Sequence, residues 1–134
     1  MNQKIFLNTR DEVTILDTQR IMYLQADGSY TRLRFADGRE ALVSFGISRM
    51  EAILASAKAK SDEGVFYRLG RSLIINQRYL FHVNTLKQKL LLAGEGGYVC
   101  QLDVPKATLR AYKELLTSTF KQPAQQPQGS TAGN

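Results

Sequence analysis

Basic side chains stand beside anion-holding groups in three separated segments of this chain. Arg68-Leu69-Gly70-Arg71-Ser72 sets two guanidinium groups and a hydroxyl around a glycine, just before the apolar run Leu73-Ile74-Ile75. Glycine permits close backbone approach. Arg, Ser and free amides hold phosphate oxygens, and Arg also meets two guanine acceptors at once in the major groove. Tyr30-Thr31-Arg32-Leu33-Arg34-Phe35 alternates. As a strand it turns Thr31, Leu33 and Phe35 towards a core and puts Tyr30, Arg32 and Arg34 together on a solvent face. Pro105-Lys106 opens a helical segment, where unpaired amides favour an anion. Lys87 and Lys89 add positive charge to one strand face. Each feature has a plainer reading: an ordinary polar face, or an Arg68 paired with a carboxylate of the same domain.

The net charge is +6, from 18 Lys and Arg against 12 Asp and Glu. Such an excess bears on partners and not on fold. Catalytic chemistry finds little support. His82 is the single histidine and Cys100 the single cysteine. Ser72 has no base paired with it by spacing, and a nucleophile needs one. His82 sits between Phe81 and Val83, as a surface histidine would. Gly94-Glu95-Gly96-Gly97 is too short for a phosphate loop and reads as a turn. No metal-ligand cluster and no cofactor motif appear, so no enzyme is expected. Cys100 lies in an apolar stretch, as a buried small hydrophobe does, and a lone cysteine suits a reducing compartment. No signal peptide and no membrane-length apolar stretch is seen, which points to a cytoplasmic protein.

Positioning these groups requires many short strands. Alternating or apolar runs cover 12–17, 21–26, 30–36, 39–45, 65–69, 73–75, 79–83, 86–92 and 98–104. Asp27-Gly28 and Asp37-Gly38 read as hairpin turns of the I′ type. Ser48-Arg49-Met50-Glu51 has the form of a capping box, and Met50, Ile53, Leu54 and Ala57 continue it as the apolar stripe of a helix that frays over 58–64. Leu109, Tyr112, Leu116 and Phe120 form the stripe of a second helix after Pro105. Some 45 residues of mainly strand separate the helices, which excludes a helix-turn-helix. The fold class is therefore mainly β, with antiparallel sheets, one mid-chain helix and one C-terminal helix. The expected domain is 1–121, with its core over about 10–120. Residues 122–134 lack charge, are rich in Gln, Pro, Gly and Ser, and read as a disordered tail.

Taken together, these segments resemble the LytTR family of DNA-binding domains found in bacterial transcription regulators. The matching pieces, in order, are 21–30, Ser48-Arg49-Met50-Glu51 with Leu54, the long segment from Phe66 to Asn76, and Val104-Pro105-Lys106. The resemblance implies an unusual, mainly β domain. Loops and strand ends, and no recognition helix, enter successive major grooves of double-stranded DNA. It implies contacts from Tyr30, Arg71, Ser72 and Lys106 and a structural role for Asn76, and the placement of the basic residues adds Arg32, Arg34 and Arg68 in support. It also implies binding to paired repeats, hence a homodimer on DNA. The receiver domain of many members has no room here, and any upstream sensor or kinase-linked partner is unknown. Two alternatives stay open: a small β-rich RNA or single-strand binder, and a protein-interaction domain. The DNA reading requires that Tyr30, Arg71 and Lys106 share one side of the folded body.

Overall fold

The computed structural model describes residues 4–57 and 65–119. The chain runs β1 (Lys4–Asn8), β2 (Val13–Asp17), a 3-10 turn (Thr18–Arg20), β3 (Ile21–Asp27), β4 (Tyr30–Phe35), β5 (Glu40–Val43) and α1 (Ile47–Ala57). It continues with β6 (Phe66–Arg68), β7 (Leu73–Asn76), a 3-10 turn (Gln77–Tyr79), β8 (Leu80–Asn84), β9 (Lys89–Ala93), β10 (Val99–Asp103) and α2 (Lys106–Thr119).

A five-stranded antiparallel sheet in the order β5-β4-β3-β7-β6 forms the middle layer. Its inner strands are buried on both faces, which explains the unbroken apolar runs Ile21-Met22-Tyr23-Leu24 and Leu73-Ile74-Ile75. One face carries the β1-β2 hairpin and α1, packed around Ile5, Leu7, Leu16, Leu24, Leu33, Met50, Leu54 and Ile74. The other face carries the three-stranded sheet β10-β9-β8 and α2, packed around Met22, Ile75, Leu90, Leu92, Leu109 and Tyr112. The sequence reading of mainly antiparallel strands with a mid-chain and a C-terminal helix describes this architecture.

Several local details differ from the sequence reading. Core residues Ile5 and Leu7 come from β1, which lies ahead of the expected start near residue 10. Five residues bounded by Lys4 carry too little periodicity to announce a strand. The first hairpin is not of the I′ type. Asp27 stays in the ladder opposite Tyr30, so the two-residue turn is Gly28-Ser29, with a left-handed φ of 63° at Gly28 alone. Asp37-Gly38 falls in a three-residue loop, closed by the Phe35 amide on the Arg39 carbonyl at 2.8 Å, with Gly38 at φ 94°. Lys87 belongs to a turn and not to a strand face, and Lys89 pairs with Asp103. Phe120, the 58–64 stretch and the 122–134 tail lie outside the described residues.

Two contacts lock the layers together. Gly94 passes so close to the turn after β4 that a Cβ there would sit 2.3 Å from the Ala36 carbonyl oxygen, and the adjacent Glu95 amide donates to that oxygen at 2.8 Å. Asn76 is fully buried at the end of β7. Its Nδ2 donates to the Ile21 carbonyl at 2.9 Å and its Oδ1 accepts from the Arg78 amide at 3.0 Å. The side chain thus sets the turn that sends the chain from the middle sheet to the outer one.

Asn76→Ala would strand a buried carbonyl and an amide, so it should lower unfolding free energy by about 2–4 kcal/mol. Urea denaturation checks this, and a loss under 1 kcal/mol would remove Asn76 from that role.

Candidate nucleic-acid interface

Antiparallel strands turn back at alternate ends, and one end of the middle sheet gathers the connections of interest. β3 ends and β4 begins there, so Tyr30 lies at the hairpin tip opposite Asp27. β6 ends and β7 begins there, with Leu73 opposite Gln25 and the Ser72 carbonyl accepting from the Ala26 amide at 2.8 Å. β5 ends there too, Val43 opposite Thr31, and leads into the first turn of α1. The β1-β2 turn reaches the same end, since Thr9 and Glu12 line a hollow of about 150 Å³ with Tyr30, Ser44 and Phe45.

The 69–72 loop is held by the side chain of Arg68. Nη1 donates to the Glu51 carboxylate at 2.7 Å and approaches the Ser48 hydroxyl at 3.5 Å. Nη2 donates to the Arg71 carbonyl at 2.7 Å, and Nε to the Gly70 carbonyl at 2.9 Å. One planar guanidinium therefore ties the loop to α1. Gly70 takes φ 79°, a left-handed value that suits glycine. The loop projects Arg71 and Ser72 into solvent. Among the described residues, no hydrogen bond or ion pair engages the Arg71 side chain. The expected capping box does not form. The helix begins at Ile47, which places Ser48 inside the first turn, and Ser48 and Glu51 serve Arg68 instead.

The other expected cations divide in the same way. Arg32 pairs with Asp27 and, at 3.7 Å, with Glu40. Arg34 donates to the Gly38 carbonyl at 3.0 Å and to Glu40 at 3.1 Å. Its charged form is favoured first by the Tyr23 hydroxyl, which raises its pKa although burial acts against it. The face shared by Tyr30, Arg32 and Arg34 is thus open at Tyr30 and closes towards Arg34, where the second layer covers it. Lys106 is exposed at the start of α2, one residue beyond Pro105, whose carbonyl accepts from the Leu109 amide at 2.9 Å. It lies at the end of the three-stranded sheet away from the Ala36-Gly94 junction. No hydrogen bond or ion pair among the described residues links it to Tyr30 or Arg71.

Two further cations stand with this group although the sequence did not single them out. Arg10 is exposed in the β1-β2 turn. Arg49, in the first turn of α1, lies over the Phe45 ring at 4.9 Å. No sequence signal marks Arg10, which depends on the β1-β2 hairpin, and the cap pattern around Ser48 gives Arg49 no role of its own. Among the described residues no His, Cys, Asp and Glu cluster could hold a metal ion, and no helix is long and apolar enough to cross a membrane.

Comparison with solved structures finds a LytTr DNA-binding domain from Bacillus cereus. It aligns over 85% of this chain and 96% of that one, with a TM-score of 0.56 and 20% identity. The fold is that of a LytTR domain. Neither the protein-family models nor the curated proteins contain a match. The shared fold accounts for the layering of three antiparallel sheets and two helices.

Arg68→Lys keeps a charge but cannot reproduce the four-way fork. The Leu69 and Ala26 amides, whose bonds flank the loop, should exchange with solvent about tenfold faster in this variant, as befits roughly 1.4 kcal/mol of lost local stability. Unchanged exchange at both amides would show that the loop holds its shape without Arg68.

Proposed function

We propose that this chain binds double-stranded DNA sequence-specifically, as the DNA-reading domain of a bacterial transcription regulator. One observation carries the reading. Arg71 is exposed, with no hydrogen bond or ion pair among the described residues, on a loop that Arg68 ties to α1, and Tyr30 lies at the same sheet end. β3 alone separates the strands of Tyr30 and Ser72, which puts them about 10 Å apart, within a major groove roughly 12 Å wide. The shared fold with a domain described as DNA-binding supports the same reading.

Arg71 takes a base edge in this proposal, and Ser72, Arg10 and Arg49 take phosphates. Tyr30 packs on the sugar-phosphate wall or a base. Lys106 contributes from the end of the outer sheet, towards the next stretch of duplex. Arg32, Arg34 and Arg68 act through the backbone they hold, since carboxylates and carbonyls already occupy their guanidinium groups.

Fluorescence anisotropy with selected duplex fragments tests this. Affinity should fall steeply with salt, by a log–log slope of about 0.9 per phosphate contacted. Arg71→Ala should weaken binding by about 1–3 kcal/mol and relax preference at one base pair. Arg32→Ala should change affinity less than about threefold, its charge being already paired. Equal affinity for single strands, or an Arg71→Ala variant that binds as the parent does, would overturn the proposal.

A further inference from the structure

A groove of about 510 Å³ runs between the first strand and the first helix. Arg49, Ala52, Ile53, Ser56 and Ala57 form its α1 wall, at the spacing of one helix face. Ile5 and Phe6 of β1 stand opposite. Phe6 is 66% exposed there. The polar group along the α1 wall, the Ser56 hydroxyl, already donates to the Ala52 carbonyl at 3.0 Å. The middle of the groove therefore suits an apolar body.

Its charges are all of one sign. Arg49 and Lys4 line the groove, and no carboxylate does. The acids nearest these cations are engaged elsewhere. Glu51 holds the Arg68 guanidinium at 2.7 Å, and Asp17, opposite Lys4 in the hairpin, accepts from the Gln19 amide at 3.1 Å. Among the described residues neither cation has an ion pair. We propose that the groove binds a small amphipathic acid, an elongated apolar molecule that carries one carboxylate. The carboxylate meets Arg49, whose guanidinium lies over the Phe45 ring at 4.9 Å and offers a planar fork to both oxygens. The apolar body lies along Phe6 and Ile53 towards Ala57, a span of about 12 Å on the helix. Lys4, at the end of β1 away from the β1-β2 turn, extends the floor with its aliphatic stem. Size favours a small molecule over a protein. The volume falls within the roughly 300–1,000 Å³ of small-ligand pockets. Eight residues line the groove, whereas a stable protein interface takes about 20–30 a side.

The site has a consequence at the sheet end that carries Tyr30 and Arg71. Arg49 belongs both to this groove and to the cations assigned to phosphates above. A carboxylate on Arg49 withdraws that charge from the DNA face. Acid and duplex then oppose each other, and by linkage each weakens the other by the same factor. The acid site stands without the DNA reading, and only this antagonism rests on it.

Titration of decanoate into the full chain, followed by amide chemical shifts, tests the site. Phe6, Arg49, Ile53 and Ala57 should move together and saturate with a Kd of about 0.1–1 mM. Decanol, of the same length without charge, and decylammonium, of opposite charge, should each bind about tenfold more weakly or worse. Arg49→Gln should weaken decanoate about tenfold, as loss of a charge-assisted bond does. Ala52→Glu sets a carboxylate in the groove and should abolish binding. Both positions are exposed, and thermal melts report whether the variants fold. Shifts that do not saturate by about 10 mM decanoate, decanol that binds as tightly, or an Ala52→Glu variant that binds as the parent does, would overturn the proposal and leave the groove to a larger occupant. In the anisotropy experiment, saturating decanoate should weaken duplex binding about fivefold or more and leave that of Arg49→Gln unchanged. Full duplex affinity with the groove filled would overturn the antagonism. A parent chain that binds no duplex leaves the decanoate titration untouched, so the two readings fail separately.

Discussion

The fork of Arg68 fixes the backbone of the 69–72 loop against α1, and with it the point from which Arg71 projects. A flexible loop with an arginine on it pays conformational entropy each time it is ordered on a ligand. Here the guanidinium of Arg68 reaches Glu51 in α1 and the Gly70 and Arg71 carbonyls in the loop, so backbone and helix are joined before any ligand arrives. The bonds are charge-assisted, and one of them goes to a carboxylate. Removing the fork leaves Arg71 in the sequence and takes away its fixed direction.

The division of labour among the basic residues follows from the same economy. A guanidinium flanked by Asp27 and Glu40, as in Arg32, or by Gly38 and Glu40, as in Arg34, offers little attraction to a distant phosphate. These pairs stiffen the β3-β4-β5 meander and hold Tyr30 at its tip. The net charge of +6 therefore understates how uneven the surface is. Acidic side chains neutralise the cations along the strands, whereas Arg71, at a loop, is left open to solvent.

Much of this architecture could be read from the chain because its signals are local. The Leu73-Ile74-Ile75 run, the glycines after Asp27 and Asp37, and the stripes through Met50 and Leu109 each report a nearby backbone geometry. What escaped depends on contacts distant in sequence. Arg68 and Glu51 are 17 residues apart, and no spacing rule couples them. Ser48 and Glu51 looked like a cap because the cap pattern is defined on one helix, and the competing donor came from another strand. β1 went unread because a five-residue strand is recognised by what it packs on, here α1 and the middle sheet. Arg10 and Arg49 were lost with those two errors. The sequence set Arg32 and Arg34 apart correctly as one face with Tyr30, but only the fold shows the carboxylates that occupy them.

Amide chemical-shift mapping during titration with a selected duplex examines the central claim most directly. The largest changes should fall on the 9–12 turn, Tyr30, Arg49, the 69–72 loop and Lys106, with the buried strands β3 and β7 quiet apart from their ends. Changes concentrated on the outward face of β8 to β10, or on the exposed side of α2, with the 69–72 loop unmoved, would contradict it.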